Sequence, residues 1–441
     1  MIEVIIIILS IILILIYVRV GHTQHLESKK IRKSSVEYKG LSILIPCYNN
    51  VKDLKVAIAY LKKIKYPNLE IIFINDGSTD HTMDKFKYLL ELEKESSTLK
   101  SLNKTVKEVY KSKTFKNIYV VDKEHENRSY SLDLGTELSS KEYLVTIGAN
   151  SILKQDALFL LNMNLQNEDV IATSGSIMIK QGIDMDADGK LTFKSDCKFI
   201  EYAQFMEYIA TFNIIRNSMS KANSLTIVSS DFGVYKKEVI SELKCFKNKK
   251  NTSMDISLQL NKYAKEKNKK ITYDDRAICF KDGCSDVFSC CLERMSYQSS
   301  FISSLKKHIK FLVSGCFTSK LFFLAFFNTI ILGYISIILI LSGIGYLIIS
   351  IFMDGYVSID TYLQIILGAI IFIFYSIINI RCALNNNLSF KNIKKHKIIL
   401  IHLYILIIYK PIMMFTFIYT AIKKLFGREY ICKCLKLYKY E

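Results

Sequence analysis

Four consecutive apolar residues, Ile71–Ile74, run directly into a polar turn that contains a glycine, Asn75–Asp80. A short apolar run bounded by a turn is typical of a strand buried on both faces of a parallel sheet. In open α/β sheets such strands present their carboxyl ends to ligands. This stretch therefore constrains the fold to the α/β class and makes Asp76 a candidate binding residue.

Strands and helices alternate on both sides of this stretch. Apolar and amphipathic runs predict strands at residues 41–46, 69–75, 117–122, 143–147 and 170–176. Intervening helices are predicted at residues 51–63, 80–92, 129–138 and 155–166, with a lysine-rich helical or disordered stretch before residue 117. Farther along, helices are predicted at 199–216 and 254–266, and strands at 225–235 and 271–280. Strict alternation predicts a parallel sheet with helices on both faces.

The hydrophobic residues, half of the 441 residues, form blocks at both ends of the chain. Such blocks predict membrane spans on either side of a central domain. We predict a transmembrane anchor at 1–20, a basic linker at 21–40, an α/β domain at 41–300, an interfacial amphipathic helix at 301–319, transmembrane helices at 320–423 and a basic tail at 424–441. Because basic residues follow the anchor, we expect a multi-pass protein of the cell membrane whose main domain is cytoplasmic.

The sequence leaves the number of C-terminal spans open. As one helix, residues 321–352 would measure about 48 Å, against a hydrocarbon core of about 30 Å. Residues 361–380 and 398–422 form two further apolar blocks. Three spans would put the basic tail outside, against the positive-inside tendency. Either residues 321–352 cross twice or the last block does not cross.

Charge and cysteine content exclude some partners. The 60 Lys and Arg outnumber the 41 Asp and Glu, and many flank the apolar blocks, so they indicate contact with anionic lipid and not with nucleic acid. The eleven cysteines are odd in number and fall largely in a cytoplasmic domain, so we expect free thiols. Cys432 and Cys434 lack partners at zinc-ligand spacing.

Several motifs then follow in the order found in glycosyltransferase family 2, which this chain resembles. Residues 46–50 resemble the family's "P-x-Y-N-E", residues 75–80 its "D-D-G-S-T-D", residues 131–135 its "A-L-N-x-G", residues 200–202 its "I-E-Y" and residues 232–237 its "F-G-x-F-R-R". The layout of anchor, domain, surface helix and spans resembles the processive members that make poly-N-acetylglucosamine, hyaluronan or cellulose. The resemblance implies a GT-A-like (Rossmann-like) domain at 41–300 that binds a UDP-sugar.

The resemblance also implies positions for the site. The residues at its nucleotide-sugar-binding positions are Pro46, Tyr48, Asn50, Asp76, Gly77, Ser78, Arg128 and Asn150. Those at its acceptor-side positions are Phe232, Gly233 and Arg294. For Asp76 we favour contact with uracil or ribose over a helix-capping role, because Ser78, Thr79 and Asp80 are already available as caps.

Three boxes depart from the family pattern. Gly148-Ala149-Asn150 stands where the family's metal-binding "D-A-D" is expected, so we predict no metal site from protein residues there. Ser253 stands where the general base is expected, and Asp255, at the last acid of that box, is the remaining catalytic candidate, with a helix N-terminal acid as the alternative. Of the acceptor-side "Q-x-x-R-W" only Arg294 remains. We interpret Asp231 as a solvated strand-end acid in preference to a relocated base.

Two functions remain open. In the first, the protein is a family 2-like membrane protein of cell-surface polysaccharide synthesis, weak or inactive in catalysis, that acts as a partner or regulatory subunit of another synthase. In the second, it is an active inverting glycosyltransferase that transfers sugar from a UDP-sugar to a growing polysaccharide in a rearranged site. We expect Mg²⁺ or Mn²⁺ as a cofactor only if the second function is correct and its reaction depends on a metal. A membrane transporter or receptor is disfavoured by the cytoplasmic domain.

Overall fold

A computed structural model describes residues 36–95, 105–185, 191–194, 196–221, 227–247, 253–318 and 395–426, with short pieces between 342 and 389. The predicted anchor, most of the linker, most of residues 320–394 and most of the basic tail lie outside the described residues. The chain divides into two compact units. The sheet unit comprises the described parts of 28–178 and 226–282, and the helical unit those of 179–225 and 283–428.

The sheet unit contains ten strands and six helices with defined bounds. The strands are β1 Leu41–Cys47, β2 Leu69–Asp76, β3 Leu92–Lys94, β4 Val106–Ser112, β5 Ile118–Lys123, β6 Tyr143–Ile147, β7 Ile152–Leu153, β8 Val170–Ile179, β11 Phe232–Lys236 and β12 Lys270–Lys281. The helices are α1 Leu54–Lys62, α2 Thr82–Leu90, α3 Arg128–Leu138, α4 Ala157–Leu165, α7 Lys237–Leu243 and α8 Ser253–Glu266. Most strands and helices therefore lie within a few residues of their predicted bounds.

The ten strands form one sheet in the order β3-β4-β5-β2-β1-β6-β11-β8-β12-β7. Its centre, β5-β2-β1-β6, is parallel, with Ile43 paired to Ile71 and to Val145. Strand β11 runs antiparallel to both β6 and β8, and β4 runs antiparallel to β5. The predicted parallel sheet is found in this centre, whereas the antiparallel strands beside it were not predicted. Apolar periodicity reports which faces are buried and carries no information on strand direction.

Two further predictions need correction. The lysine-rich stretch before residue 117 contributes β3 and β4, which extend the edge of the sheet. Only Val109 and Ser112 of β4 are buried, so the strand lacks a strong apolar signal, and its charged residues suit an exposed edge. Strand β11 begins at Phe232, later than predicted, since residues 229–231 form a turn closed by a bridge between Ser229 and Phe232; the first two residues of the predicted strand lie outside the described residues.

The core of the sheet unit lies where helices pack on the central strands. Leu44, Ile72, Ile74 and Leu132 belong to one buried cluster. Each such side chain contributes roughly 1.5–3 kcal/mol on burial. Gly135 lets α3 pack closely on β2, because a Cβ at this position would lie 2.9 Å from Ile74 Cδ1. This packing directs the start of α3 toward the carboxyl ends of the parallel strands.

The helical unit contains a small sheet and long helices. Its described elements are β9 Ile183–Met185, β10 Leu191–Phe193, β13 Leu388–Ser389, α5 Phe199–Ile209, a π-helix Ala210–Arg216, α6 Asn217–Lys221, α9 Val287–Lys307, α10 Ile309–Thr318, α11 Lys395–Tyr404, a second π-helix Ile405–Tyr409 and α12 Lys410–Phe426. The predicted helix at 199–216 is therefore α only to Ile209. The predicted surface helix at 301–319 corresponds to the last turns of α9 together with α10.

One described helix is long and apolar enough to cross a membrane. It runs from His396 to Lys424, is 29 residues long and has only 22% of its most apolar window buried within the protein. Its central π-turn, Ile405–Tyr409, ends two residues before Pro411. In a regular α-helix the proline ring would clash with the carbonyl four residues earlier, which lies within this π-turn. This helix contains the predicted third C-terminal span, and most of the first two lies outside the described residues.

Candidate active site

The loops that follow β1 and β2 are tied together by hydrogen bonds. The Asn49 amide donates to Ser78 Oγ at 3.0 Å, and the Thr79 amide donates to Asn49 Oδ1 at 2.8 Å. The Asn50 amide donates to Thr82 Oγ1 at 3.0 Å, while its own Oδ1 accepts from the Tyr48 amide at 2.8 Å. The structure thus brings the predicted residues of both motifs to one edge of the sheet, with Pro46 buried inside β1.

Asp76 is buried under the loop that follows β5. Its Oδ1 accepts from Lys123 Nζ at 2.6 Å and from the Glu126 amide at 3.1 Å, and both Asp76 and Lys123 are fully buried. His125 Nδ1 lies 3.0 Å from Asp76 Oδ2. Sequence reasoning missed Lys123, whose only signal is a lysine at the end of an otherwise apolar strand. The Asp76 carboxylate holds the 123–126 loop, and its predicted contact with a base or ribose stays a prediction.

Gly77 makes this loop packing possible. Its φ is +62°, and a Cβ at this position would lie 2.5 Å from the His125 backbone nitrogen. Above it the rings of Tyr48 and His125 pack with centroids 4.4 Å apart. His125 is 42% exposed, so part of this aromatic pair is open to solvent.

The position of the family's metal box does not fit a divalent cation. Gly148 has no side chain, and Asn150 uses its Nδ2 to donate to Asp282 Oδ2 at 3.1 Å. Among the described residues no group of three or more His, Cys, Asp or Glu side chains has a geometry that could hold a metal ion. A hard cation such as Mg²⁺ or Mn²⁺ prefers several carboxylate oxygens, and these residues do not supply such a set.

Two cations flank Asp231 where β11 begins. Arg128 Nη1 lies 3.1 Å from Asp231 Oδ1, and Lys281 Nζ lies 3.4 Å from Oδ2. The last pair of the β11–β6 ladder is Phe232 with Ile147, so Asp231 is positioned beside Gly148 of the altered metal box. The side chains of Arg128, Asp231 and Lys281 are 17–18% exposed. Asp231 is therefore a paired, largely buried acid and not the solvated one predicted.

The charge of Asp231 is stable at neutral pH. Burial alone would raise the pKa of this carboxyl, but the neighbouring Lys281 and Arg128 cations more than offset it and lower the pKa to about 2. A carboxylate with so low a pKa accepts a proton poorly at neutral pH. Asp231 is thus unsuited to act as a relocated general base.

Ser253, at the position of the family's base, joins the same group of residues. Its Oγ lies 2.6 Å from Ser230 Oγ, and the Ser230 carbonyl accepts from Arg128 Nη2 at 2.9 Å. Neither Ser253 nor Ser230 therefore provides a carboxylate that could act as the general base. Asp255, in the first turn of α8, is 2% exposed, and its Oδ2 accepts from Gln259 Nε2 at 2.9 Å.

The predicted acceptor-side residues lie in different surroundings. Phe232 is fully buried inside the sheet, where its ring lies 2.3 Å from the place a Cβ on Gly175 would take. Gly233 is equally enclosed, since a Cβ there would lie 2.7 Å from the Ser229 carbonyl. In the helical unit, Arg294 Nη2 donates to Glu207 Oε2 at 2.7 Å.

Glu207 is the centre of a polar network within the helical unit. Besides the Arg294 guanidinium, its Oε2 accepts from the Tyr409 hydroxyl at 2.5 Å. Three helical segments are joined through this one carboxylate, namely α5, α9 and the π-turn before Pro411. The seven cysteines in the described part of the chain are free thiols, and Cys284 Sγ, close to this network in sequence, donates to Glu293 Oε2.

Comparison with known proteins finds similarity over the middle of the chain. Residues 42–244 match the family model of glycosyl transferase family 2. A poly-beta-1,6-N-acetyl-D-glucosamine synthase from Staphylococcus aureus (strain COL) is 22% identical over 208 residues, 47% of this chain and 42% of the relative. The synthase of the same name from Staphylococcus epidermidis is 23% identical over 253 residues, 57% of this chain and 52% of the relative. The chain thus spans about half the length of the curated relatives it matches.

A solved structure supports the fold. The mannosyltransferase PcManGT from Pyrobaculum calidifontis, in complex with GDP-Man and Mn²⁺, superimposes with a TM-score of 0.52 at 13% identity, covering 96% of this chain and 100% of that chain. At this identity the likeness concerns the fold. The predicted GT-A-like α/β fold and the resemblance to family 2 polysaccharide synthases are confirmed.

Proposed function

We propose, from the premise that residues 42–244 form a glycosyl transferase family 2 domain, that this protein binds a nucleotide sugar but transfers it weakly or not at all. In this proposal it serves cell-surface polysaccharide synthesis as a partner or regulatory subunit of an active synthase. The nucleotide-binding edge retains an ordered set of loops, whereas the groups that would carry out transfer are replaced.

The proposal is carried by the residue at the position of the family's general base, which is a serine and not a carboxylate. Transfer to a sugar hydroxyl needs a carboxylate or another base within hydrogen-bond reach of the acceptor. Ser253 is hydrogen-bonded to Ser230, and the neighbouring Asp231 is held as an anion by two cations. A serine hydroxyl without an activating base does not accept a proton effectively near neutral pH.

Nucleotide recognition is supported by what remains at the carboxyl ends of the parallel strands. Tyr48 and His125 provide an aromatic pair, and Arg128 lies at the start of α3. The curated relatives named above are poly-N-acetylglucosamine synthases, so a UDP-sugar is the nucleotide sugar we propose. The helix His396–Lys424 supports placement at a membrane, and we propose a multi-pass protein whose sheet unit is cytoplasmic.

The test is turnover of UDP-N-acetylglucosamine by the purified full chain in lipid nanodiscs, alongside the variant Asp255→Asn. We expect binding of the nucleotide sugar without product above the level seen with Asp255→Asn. Product formed by the wild-type chain and abolished in Asp255→Asn, with an unchanged melting temperature, would overturn the proposal. Co-purification with a polysaccharide synthase from native membranes tests the partner role, which fails if none is recovered.

A second candidate function is active inverting transfer in a rearranged site. It is favoured by Asp255, which keeps the last acid of the motif that holds the family's general base. This residue is buried in the first turn of α8. This candidate predicts loss of product in Asp255→Asn or Arg294→Ala, and no stimulation by Mg²⁺ or Mn²⁺. Product yields that stay unchanged in both variants would exclude it.

A further inference from the structure

We infer that Arg128 and Lys281 together bind the diphosphate of the nucleotide, in the place that the family fold gives to a divalent cation. This inference rests on the proposed nucleotide-sugar binding and deepens it by naming the groups that hold the phosphates. Lys281 is the new member of the site: it belongs to β12, outside every motif that indicated the family.

The two cations converge from separate elements onto one carboxylate. Arg128 begins α3, Lys281 ends β12, and each lies within 3.4 Å of a different oxygen of Asp231. Convergence of this kind fixes the guanidinium and the ammonium close together before any ligand arrives. Each side chain keeps 17% of its surface exposed, so both remain partly accessible to solvent.

Strand β12 packs closely against Gly175 of β8, the strand between β11 and β12. A Cβ at Gly175 would lie 2.3 Å from the Ala277 carbonyl and 2.3 Å from the Phe232 ring. Only hydrogen fits there, so the end of β12 reaches the start of β11.

The start of α3 adds a third positive feature. Asn127 caps the helix by accepting from the Tyr130 amide at 3.1 Å, and the helix runs for eleven residues. The amides of a first turn lack intrahelical acceptors, and a helix N-terminus favours phosphate groups. Arg128 is itself the first residue of this helix, so its side chain and the helix end act at one place.

The neighbouring carboxylates argue against a metal at this position. Asp231 is already paired with both cations, and Asp282 accepts from Asn150. A divalent cation would have to displace Arg128 and Lys281 or lie beside them against their repulsion. Binding of a nucleoside diphosphate is favoured by positive charge. Arg128 and Lys281 exceed the Asp231 carboxylate by one positive charge, and both offer N–H donors to phosphate oxygens.

The experiment measures binding of UDP to the full chain in nanodiscs by calorimetry, with EDTA or with MnCl₂. We expect equal affinity under both conditions. Lys281→Met and Arg128→Met should each weaken binding about tenfold or more, and Lys281→Arg should retain most of it. Lys269→Met is the matched control and should bind as the wild type does, because Lys269 pairs with Asp169 at 2.9 Å on a part-exposed surface.

The outcomes separate this inference from the proposed function. Binding that requires Mn²⁺, or that is unaffected by both methionine substitutions, would overturn the inference and leave nucleotide binding intact. Absence of binding of either UDP or UDP-N-acetylglucosamine by the wild-type chain would overturn the proposed function together with the inference. Turnover without added metal would contradict weak catalysis while supporting the role of the two cations. The comparison with EDTA uses the wild-type chain, so it decides even if a variant does not fold.

Discussion

Lys123 Nζ lies 2.6 Å from Asp76 Oδ1, and neither side chain is exposed to solvent. The carboxylate that identifies the family motif is thus engaged by a lysine from the neighbouring parallel strand. This pair fastens the carboxyl ends of β2 and β5 to each other. It also sets the course of the loop that carries His125 and leads to Arg128.

Lys123→Met should strongly destabilise the sheet unit. Removing one partner leaves the Asp76 charge buried without compensation, which typically costs about 3–5 kcal/mol. Urea unfolding of the full chain in detergent, followed by circular dichroism, measures this change. In the double variant Lys123→Met/Asp76→Asn part of the loss should be recovered, since the buried Asp76 charge is removed. Recovery should be incomplete, because Glu126 Oε2, 3.1 Å from Lys123 Nζ, still loses its cation.

The exposed pair Lys269–Asp169 provides the control for that experiment. Its N···O distance is 2.9 Å, but the side chains are 36% and 50% exposed. Lys269→Met should therefore cost less than about 1 kcal/mol. If Lys123→Met were equally mild, the buried pair would not hold the loop as we describe.

The stability of the protein should depend on Asp231 at acid pH. Its pKa in the folded protein is about 2, below the ordinary value of 3.8. A carboxyl with a lowered folded pKa stabilises the fold above its unfolded pKa, and this stabilisation disappears as the pH falls from about 4 toward 2. The lowering corresponds to roughly 2 kcal/mol. Asp231→Asn should be less stable at pH 7, and the difference from the wild type should shrink over that acid range. A difference that is constant from pH 7 to 2 would contradict this.

Gly77→Ala should destabilise the loop that covers Asp76. The backbone has φ +62°, and the added Cβ would lie 2.5 Å from the His125 nitrogen. We expect a loss of about 1–3 kcal/mol and weaker nucleotide binding, measured by thermal unfolding and calorimetry. Gly182→Ala is the control, because its Cβ would meet only the Phe205 side chain at 3.7 Å. Equal effects of the two substitutions would count against the packing argument.

Ile407 should face lipid. Its side chain is 66% exposed in the protein, at the π-turn in the middle of the helix His396–Lys424. In intact membranes Ile407→Cys should resist a charged maleimide and react only after denaturation, because thiolate formation is unfavourable in hydrocarbon. Tyr88→Cys, at a position 79% exposed on α2, should react at once in inside-out vesicles. Peptide mass spectrometry distinguishes these thiols from the native ones. Rapid labelling of Ile407→Cys in membranes would contradict a spanning helix.

Much of the central sheet could be predicted from local pattern. The apolar runs of β1, β2, β5 and β6 are buried throughout or nearly so, and their bounds lie within a residue of prediction. Strand β4 could not be found this way, since it buries only Val109 and Ser112. The antiparallel direction of β11 was also out of reach, because pairing partners distant in the chain decide it.

The sequence by itself determined the resemblance to glycosyltransferase family 2, the α/β class, the order of the motifs and the absence of acids at Gly148, Asn150 and Ser253. Each of these follows from residue types and their local spacing. Only the tertiary structure decided that Lys123 pairs with Asp76, and that Lys281 and Arg128 converge on Asp231 beside the altered metal box. These contacts join residues 47 to 103 positions apart, and burial of the strands that carry them, not any local preference, brings the charges together.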